Sequence, residues 1–311
     1  MHEISVVIPT HQRCELLSRT LHSVFAQLEV DIEVIIVDDG STDGTSALVS
    51  GLGDPRIRLI RHERALGVSA ARNRGVMEAT GEWVAFLDDD DLWAPEKLAR
   101  QLDAVRRSHC EWAYCGAVAV SPALHIIAGG PPPMPDRLLR DLPRRNTVPA
   151  GSSNVFVRRA LLHRVGPFDL GLRHMADWDL WIRLGQAARP AVVDRALVAY
   201  LLHVSNASAD SADVPAEMSL LEARYAAVRG SRRVDRAYIY RWVAWNALRS
   251  GRRGTAVRAY ARAVLAGDLP SLARAVVGVL NPALAGRPLP SLVGKPWGIE
   301  AAAWLHDMAC R

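Results

Sequence analysis

Four β-branched runs, each ending in a turn and followed by a stretch of helical character, fill about the first 105 residues, and this alternation constrains the fold more than any other feature. Ile4-Ser5-Val6-Val7-Ile8 reads as a buried strand stopped by Pro9, after which Arg13 to Gln27 carries Leu16, Leu17, Leu21, Val24 and Phe25 at helical spacing. Glu33–Val37, Ile57–Ile60 and Trp83–Leu87 read as three further strands. Between them fall a short helix over Thr45–Val49, with Ser41 or Asp43 as its cap, and a helix over Gly67–Ala79 closed by Gly81. Another helix starts near Pro95 and runs to about Arg107. The pattern predicts an α/β fold, Rossmann-like, with a mostly parallel sheet and helices on both faces. Ligands of such sheets bind outside the carboxyl ends of the strands, and both acidic clusters, Asp38-Asp39 and Asp88–Asp91, fall at those ends.

Farther along, Gly129–Pro149 is rich in Pro and Arg and reads as a long loop, of a length that is usually functional or mobile. Val155–Val157 resumes a strand and Asp177–Ala187 reads as a helix. From about Asp210 the pattern is helical only, with Arg236–Leu248 and Thr255–Leu265 paired around Ser250–Gly254, which sets a boundary near 208. Half the residues are hydrophobic and 23% are charged, so the chain is not a disordered one. No apolar stretch reaches the roughly 18 residues that span a bilayer; Ala275–Leu284 is short and broken by Asn281-Pro282. Glu3–Pro9 reads directly as a strand without a signal peptide before it, so the expected location is cytoplasmic. Cys14, Cys110, Cys115 and Cys310 show no paired spacing and read as buried or incidental thiols.

The formal charge of +5 is unevenly spread, because twelve arginines between Arg224 and Arg274 face only Asp235 and Asp268. Arg232, Arg233, Arg236, Arg241, Arg249, Arg252 and Arg253 alternate with Tyr238, Tyr240, Trp242 and Trp245. Such a stretch suits an anionic membrane surface. The alternative is that the aromatic residues, at helical spacing, pack against the rest of the chain while the arginines solvate the outside. Nucleic acid is not expected as a partner.

Asp88–Asp91 is the most informative segment. Four adjacent carboxylates repel one another, and a divalent cation relieves that cost. Oxygen-rich sites of this kind suit Mg²⁺ or Mn²⁺, which commonly enter with a few carboxylates and substrate phosphates.

Four motifs in order resemble the family 2 glycosyltransferases: Ile8-Pro9-Thr10; Val37-Asp38-Asp39-Gly40-Ser41; Gly67-Val68-Ser69-Ala70-Ala71-Arg72-Asn73; and Phe86-Leu87-Asp88-Asp89-Asp90-Asp91. The resemblance covers roughly residues 1–205. It implies a GT-A fold with a nucleotide-sugar-binding half (1–107), an acceptor-binding half (108–208) and a helical C-terminal region (209–311). It further implies that Asp39 accepts a hydrogen bond from the nucleobase. Pro9, Thr10, Arg13, Arg72, Asn73, Asp88 and Asp89 lie by the donor, and Asp90 ligates the metal that bridges to its diphosphate. His203 matches a histidine that reaches the metal or diphosphate. Asp177 matches the catalytic base, although read alone it could simply cap its helix. Asp179 is adequately explained by pairing with Arg183.

Two departures stand out: His11-Gln12 where the family usually has an aromatic residue followed by Asn, and Ala176 where it has Glu before the base. Tyr238 stands where the processive synthases carry the Gln of Gln-x-x-Arg-Trp, so a single transfer is the better expectation. The resemblance thus implies a metal-dependent, inverting transfer of one sugar from a nucleoside diphosphate sugar to a hydroxyl acceptor (a sugar, a lipid-linked sugar or a small molecule). A retaining transferase, a sugar-nucleotide pyrophosphorylase and a non-catalytic nucleotide-sugar-binding relative remain as alternatives.

Overall fold

The computed structural model describes residues 2–203, 213–249, 251–280 and 295–309. The expected boundary near 208, Ser250, Asn281-Pro282 and Cys310 lie outside the described residues. The first half follows the expected alternation: β1 (Ile4–Thr10), α1 (Cys14–Phe25), β2 (Ile32–Asp38), α2 (Thr45–Gly51), β3 (Ile57–Arg61), α3 (Val68–Glu78) and β4 (Trp83–Phe86). These strands lie in the order β3-β2-β1-β4, every neighbouring pair parallel. All seven residues of β1 and of β2 are buried. That explains why the runs read as continuously hydrophobic, since a strand covered on both faces has no solvent side to alternate towards.

Side chains still alternate between two cores. Val7, Ile35 and Val37 face one cluster, while Val6, Ile8, Val34 and Ile36 face the other, where Leu17, Leu21 and Val24 of α1 pack. Gly75 on α3 permits the closest approach to the sheet, because a Cβ there would fall on the Cγ1 of Val7.

The second half adds β5 (Leu92–Trp93), α4 (Lys97–Ser108), β6 (Trp112–Val120), β7 (Ile126–Gly130), α5 (Pro135–Asp141), a 3₁₀ turn at Gly151–Asn154, β8 (Phe156–Arg158), α6 (Arg159–Val165), α7 (Ala176–Ala187) and β9 (Ala191–Leu201). The sheet continues from β4 through β8, β6 and β9 to β5. Here β6 and β9 are parallel, while β4–β8, β6–β8, β5–β9 and β6–β7 are antiparallel. The parallel arrangement expected from the first four strands therefore holds for that half, and the extension is mixed.

The segment expected to be one long loop over Gly129–Pro149 contains α5, which starts with Pro135 in its first turn and buries Leu138. A helix of 7 residues is too short to show a helical period among prolines.

Beyond the sheet come α8 (Val214–Arg224), α9 (Ala226–Arg229), α10 (Arg236–Arg249), α11 (Arg253–Leu265), α12 (Pro270–Leu280) and α13 (Pro296–Ala309). Val214, Met218 and Leu221 of α8 and Val243, Ala244 and Ala247 of α10 join the core that holds Trp181 of α7. Ala301 and Leu305 of α13 pack with Val118, Val120 and Leu201. The aromatic residues of α10 turn inward: Tyr238, Tyr240 and Trp242 pack on the core, and the Arg145 guanidinium lies 5.4 Å from the Tyr238 ring centre.

Gly75→Val tests the α3–β1 contact. Overpacking typically costs about 1–3 kcal/mol, and the small gain in helix propensity from glycine to valine offsets only a fraction of it. The urea midpoint should fall clearly; an unchanged midpoint would show that Val7 yields freely.

Candidate active site

The ends of β1, β2 and β4 converge as parallel strands require, and the side chains there compensate one another's charge. At the end of β2, Asp38 shapes the turn by accepting from the Ser41 N–H (2.8 Å) and the Ser46 hydroxyl (3.0 Å). Gly40 follows with φ +74°, and a Cβ there would strike the backbone of Arg64 and Ala65, so the position calls for glycine. Asp39 accepts from the Leu66 and Gly67 amides (2.9 and 2.7 Å) and pairs with Nδ1 of His62 (2.8 Å). Burial alone would push its carboxyl up, but these hydrogen bonds outweigh it and hold Asp39 below the usual carboxylate range. A carboxylate has about four lone-pair positions, so one acceptor position remains.

The two unusual residues after β1 serve this loop. Nδ1 of His11 donates to the Asp39 carbonyl (2.8 Å), and Oε1 of Gln12 accepts from the amides of Thr42 and Asp43 (3.2 and 3.1 Å). Thr10 is buried at the strand end, one residue after Pro9.

After β4, the four carboxylates divide among separate partners. Asp88 receives a hydrogen bond from Arg72 of α3. Nη1 of Arg13 donates to both Asp89 (2.9 Å) and Asp90 (2.7 Å). Nε2 of His203, just past β9, lies 2.9 Å from Oδ2 of Asp90. Asp91 is fully buried, accepts from the Ser153 hydroxyl and from the Leu201 amide (3.0 Å), and so joins the turn to the 3₁₀ segment and β9. Burial and the charge of Asp90 push Asp89 up to about 6 against the pull of Arg13. Burial, Asp90 and Asp88 raise Asp91 well above the usual range. The repulsion expected from four adjacent acids is thus met by two guanidinium groups, an imidazole and a hydroxyl.

Asp177 lies at the second position of α7, and its Oδ1 accepts from the Trp178 amide (2.6 Å). Its other oxygen accepts from the Asn146 amide group (3.1 Å), and Gly151 passes so close that a Cβ would sit 3.1 Å from that oxygen. Burial pushes Asp177 up to about 6; Arg72, Trp178 and Asn146 oppose the rise and the charge of Asp88 adds to it. Arg72 therefore links the two acidic groups, donating to Asp88 while acting through space on Asp177. Asp179, by contrast, is 1% exposed and held by Arg183, Arg224 and Tyr225.

Pro9, Thr10, Arg13, Asp39, Arg72, Asp88, Asp89, Asp90, Asp177 and His203 all belong to this end of the sheet. Asn73 differs: its side chain donates to the Phe168 carbonyl (2.9 Å) and accepts from the Phe168 amide (2.8 Å), so both ends of its amide are spent on main chain. Ser153 and Asn146 were not singled out from the sequence. Neither lies in a spaced motif, and each meets its carboxylate only through the fold.

Among the described residues, no group of three or more His, Cys, Asp and Glu side chains could hold a metal ion. Asp90 and His203 offer one carboxylate and one imidazole. Carboxylate oxygens suit Mg²⁺ or Mn²⁺ where substrate oxygens and water complete the shell.

The family model described as "Glycosyl transferase family 2" matches residues 5–166. The succinoglycan biosynthesis protein ExoO of Rhizobium meliloti is 40% identical over 101 residues, which are 32% of this chain and 29% of that protein. The chain thus spans under a third of that relative's length. The Escherichia coli enzyme WfgD, a UDP-Glc:alpha-D-GlcNAc-diphosphoundecaprenol beta-1,3-glucosyltransferase, is 29% identical over 181 residues, 58% of this chain and 69% of the relative. Among solved structures, the mannosyltransferase PcManGT from Pyrobaculum calidifontis, in complex with GDP-Man and Mn²⁺, superposes with a TM-score of 0.56 at 22% identity. The match covers 99% of this chain and 86% of that one, a likeness of fold.

Arg13→Met tests the charge balance. Removing one partner of a nearly buried ion pair typically costs about 3–5 kcal/mol. The penalty should be largest near pH 8, where Asp89 is charged, and should shrink as the pH falls through about 6 and Asp89 takes a proton. Denaturation midpoints across that range would show it; a pH-independent loss would assign Arg13 to packing alone.

Proposed function

The chain belongs to glycosyl transferase family 2 and has the α/β GT-A fold with a helical appendage, and on that premise we propose that it transfers one sugar from a nucleoside diphosphate sugar to an acceptor hydroxyl in glycan or glycoconjugate biosynthesis. The observation that carries this reading is the Asp88–Arg72–Asp177 arrangement, which sets a carboxyl tuned to about 6 beside a guanidinium already committed to the acidic turn. Relatives by name use UDP-linked glucose and a lipid-linked diphosphate acceptor, or hold GDP-mannose. These support a nucleotide-sugar donor and admit a lipid-linked acceptor.

In this reading Asp39, Thr10 and Pro9 line the nucleoside side, with the remaining acceptor position of Asp39 open to a ring N–H of the base. Arg13 and Arg72 are the cations nearest the diphosphate, and Asp88 and Asp89 keep them oriented. Asn73 acts indirectly, holding the Phe168 loop against α3. Asp90 and His203 would hold Mg²⁺ or Mn²⁺, which when bound supplies positive charge against the departing diphosphate. Asp177 takes the proton from the acceptor hydroxyl as that oxygen attacks the anomeric carbon opposite the leaving group, which inverts the configuration. Residues 1–107 serve the donor, 108–208 the acceptor, and 209–311 form the helical region.

A donor screen across uridine, thymidine and guanosine diphosphate sugars with Mn²⁺, read by thermal shift, identifies the substrate class. With that donor, Asp177→Asn should lower kcat by roughly 10²–10⁴-fold with little change in donor affinity. Wild-type activity should rise with pH through about 6, because the base works only when deprotonated. Chelation or Asp90→Ala should abolish turnover. Full activity of Asp177→Asn would remove the base assignment, and full activity in excess chelator would remove the metal.

No helix among the described residues is long and apolar enough to cross a membrane. Tyr238, Tyr240 and Trp242 of α10 pack against the core. We place the membrane contact on α11 and α12 instead. Leu265, Leu269, Leu272 and Val276 stand exposed there, Leu265 at 88%, beside exposed Arg258, Arg262 and Arg274. Apolar side chains flanked by arginines suit an anionic surface, each cation contributing about 1 kcal/mol near it. The full chain should sediment with anionic vesicles at low salt and not with neutral ones, and Leu265→Asp with Leu272→Asp should release it. Binding that survives both substitutions would put the contact elsewhere.

A further inference from the structure

The start of α7 carries the proposed base yet has no cap of its own. Met175 occupies the N-cap position without a side-chain hydrogen bond, and Ala176 follows it with no carboxylate. The main chain leading into α7, up to the N-cap Met175, carries amides with no intrahelical partner, and where they are shielded from water they need an acceptor from elsewhere. That acceptor comes from beyond the sheet. Glu217, on α8 and only 6% exposed, accepts from three successive amides: Arg173 (2.9 Å), His174 (3.2 Å to one oxygen and 3.0 Å to the other) and Met175 (2.9 Å).

A second set of contacts holds the other end of the same interface. Nη1 of Arg224 and the hydroxyl of Tyr225 donate to Oδ1 of Asp179 (2.7 and 2.6 Å), while Arg183 donates to Oδ2 (2.9 and 2.7 Å). Met218 and Leu221 bury apolar surface in the same core as α7. Helix α8 is therefore fixed to α7 on both sides of Asp177, two residues after Met175 and two before Asp179. Glu217 is the member of this set that touches the main chain leading directly into the base.

We propose that Glu217 is a positioning residue for Asp177: by clamping the amides of Arg173, His174 and Met175 it sets where α7 begins, and so where the Asp177 carboxyl lies relative to Arg72 and Asn146. This rests on the assignment of Asp177 as the base. It makes the helical region beyond residue 209 part of the catalytic apparatus. The donor-side groups (Arg13, Asp39, Arg72, Asp88 and Asp90) lie on other elements and are hydrogen-bonded to partners other than Glu217.

The test uses the full chain with Glu217→Ala, Glu217→Asp and, separately, Asp177→Asn. Hydrogen exchange in wild type should show protected amides at 173–175. Glu217→Ala should lose that protection while β1–β4 keep theirs. With the donor found by the screen, kcat should fall by about 10²-fold, the loss that a misplacement of about 1 Å produces, with donor KM within about twofold. Glu217→Asp keeps the carboxylate on a shorter stem and should recover part of both. The Asp177 carboxyl, followed by NMR, should titrate closer to the ordinary carboxylate range in Glu217→Ala than in wild type. Arg72 and Asp88, the charged groups that bear on it, are unchanged in that variant.

Wild-type kcat in Glu217→Ala, or protection at 173–175 that survives it, overturns the proposal. So does a loss of kcat that comes with loss of protection across β1–β4, which would mean general destabilisation. If Glu217→Ala does not fold, Glu217→Asp decides: a reduced kcat with unchanged donor KM supports the clamp, and wild-type kinetics despite lost amide protection overturns it. Full activity of Asp177→Asn would remove the base assignment itself, whatever the Glu217 variants do.

Discussion

The architecture around the candidate site depends on keeping four adjacent carboxylates at a buried strand end. Like charges at that spacing cannot all ionise in a low-dielectric setting without compensation. The chain meets the requirement from four directions: Arg13 from the start of α1, Arg72 from α3, Ser153 from the 3₁₀ turn, and Leu201 and His203 from the end of β9. Each of those elements is thereby fixed to the β4 turn. The acids at 88–91 organise the end of the sheet even before any ligand charge is considered. Asp91 is the internal member of the set, since its raised proton affinity and full burial suit a group that holds structure together.

A second layer stands behind the first. Nε1 of Trp93 donates to the Ser153 carbonyl (2.7 Å), and Nζ of Lys97 sits 3.7 Å from the centre of the Trp93 ring. Lys97 is fully buried, and burial lowers its ammonium to about 7. A cation over an indole face is attracted by the ring quadrupole, and the attraction is strongest where water is excluded. The positive group nearest this layer therefore stacks on a ring that in turn places the serine serving Asp91 and the Asp88 amide.

The parallel half of the fold was legible because buried parallel strands are long apolar runs and each ends in a turn rich in acids or glycine. Of the later strands, Val155–Val157 was read and two others escaped, for opposite reasons. Leu92–Trp93 is two residues long, and Trp112–Val120 has small residues where a strand usually has branched ones. Most of the site was legible too, since Asp39, Asp88–Asp90 and Asp177 sit in local motifs. Asn146, Ser153 and Glu217 were not, because each meets its partner across 31 to 62 residues of sequence and no spacing rule connects them. The aromatic stripe of α10 shows the limit of pattern reading from the other side. Helical spacing of Tyr238, Trp242 and Trp245 fits a packed face and an interfacial face equally well, and only the fold shows that Tyr238, beside Arg145, and Trp242 lie against the core.

The two places where this sequence departs from its family pattern are also places where the fold supplies a local replacement. His11 and Gln12 do not present the usual aromatic residue and Asn, yet their side chains hold the Asp39 carbonyl and the amides of the following turn. Asp39 is thus fixed by its neighbours at the end of β1 as well as by Leu66 and Gly67. Ala176 brings no carboxylate to the start of α7; Asp177 takes the Trp178 amide there, and Glu217 takes the amides of Arg173, His174 and Met175 just before it. A negative group at a helix N-terminus is favoured by the orphan amides and the dipole, whichever segment delivers it. What the physics requires is an acceptor at that point in space. The amides before α7 are served in this way from α8, which is packed on α7 through Asp179, Arg224 and Tyr225.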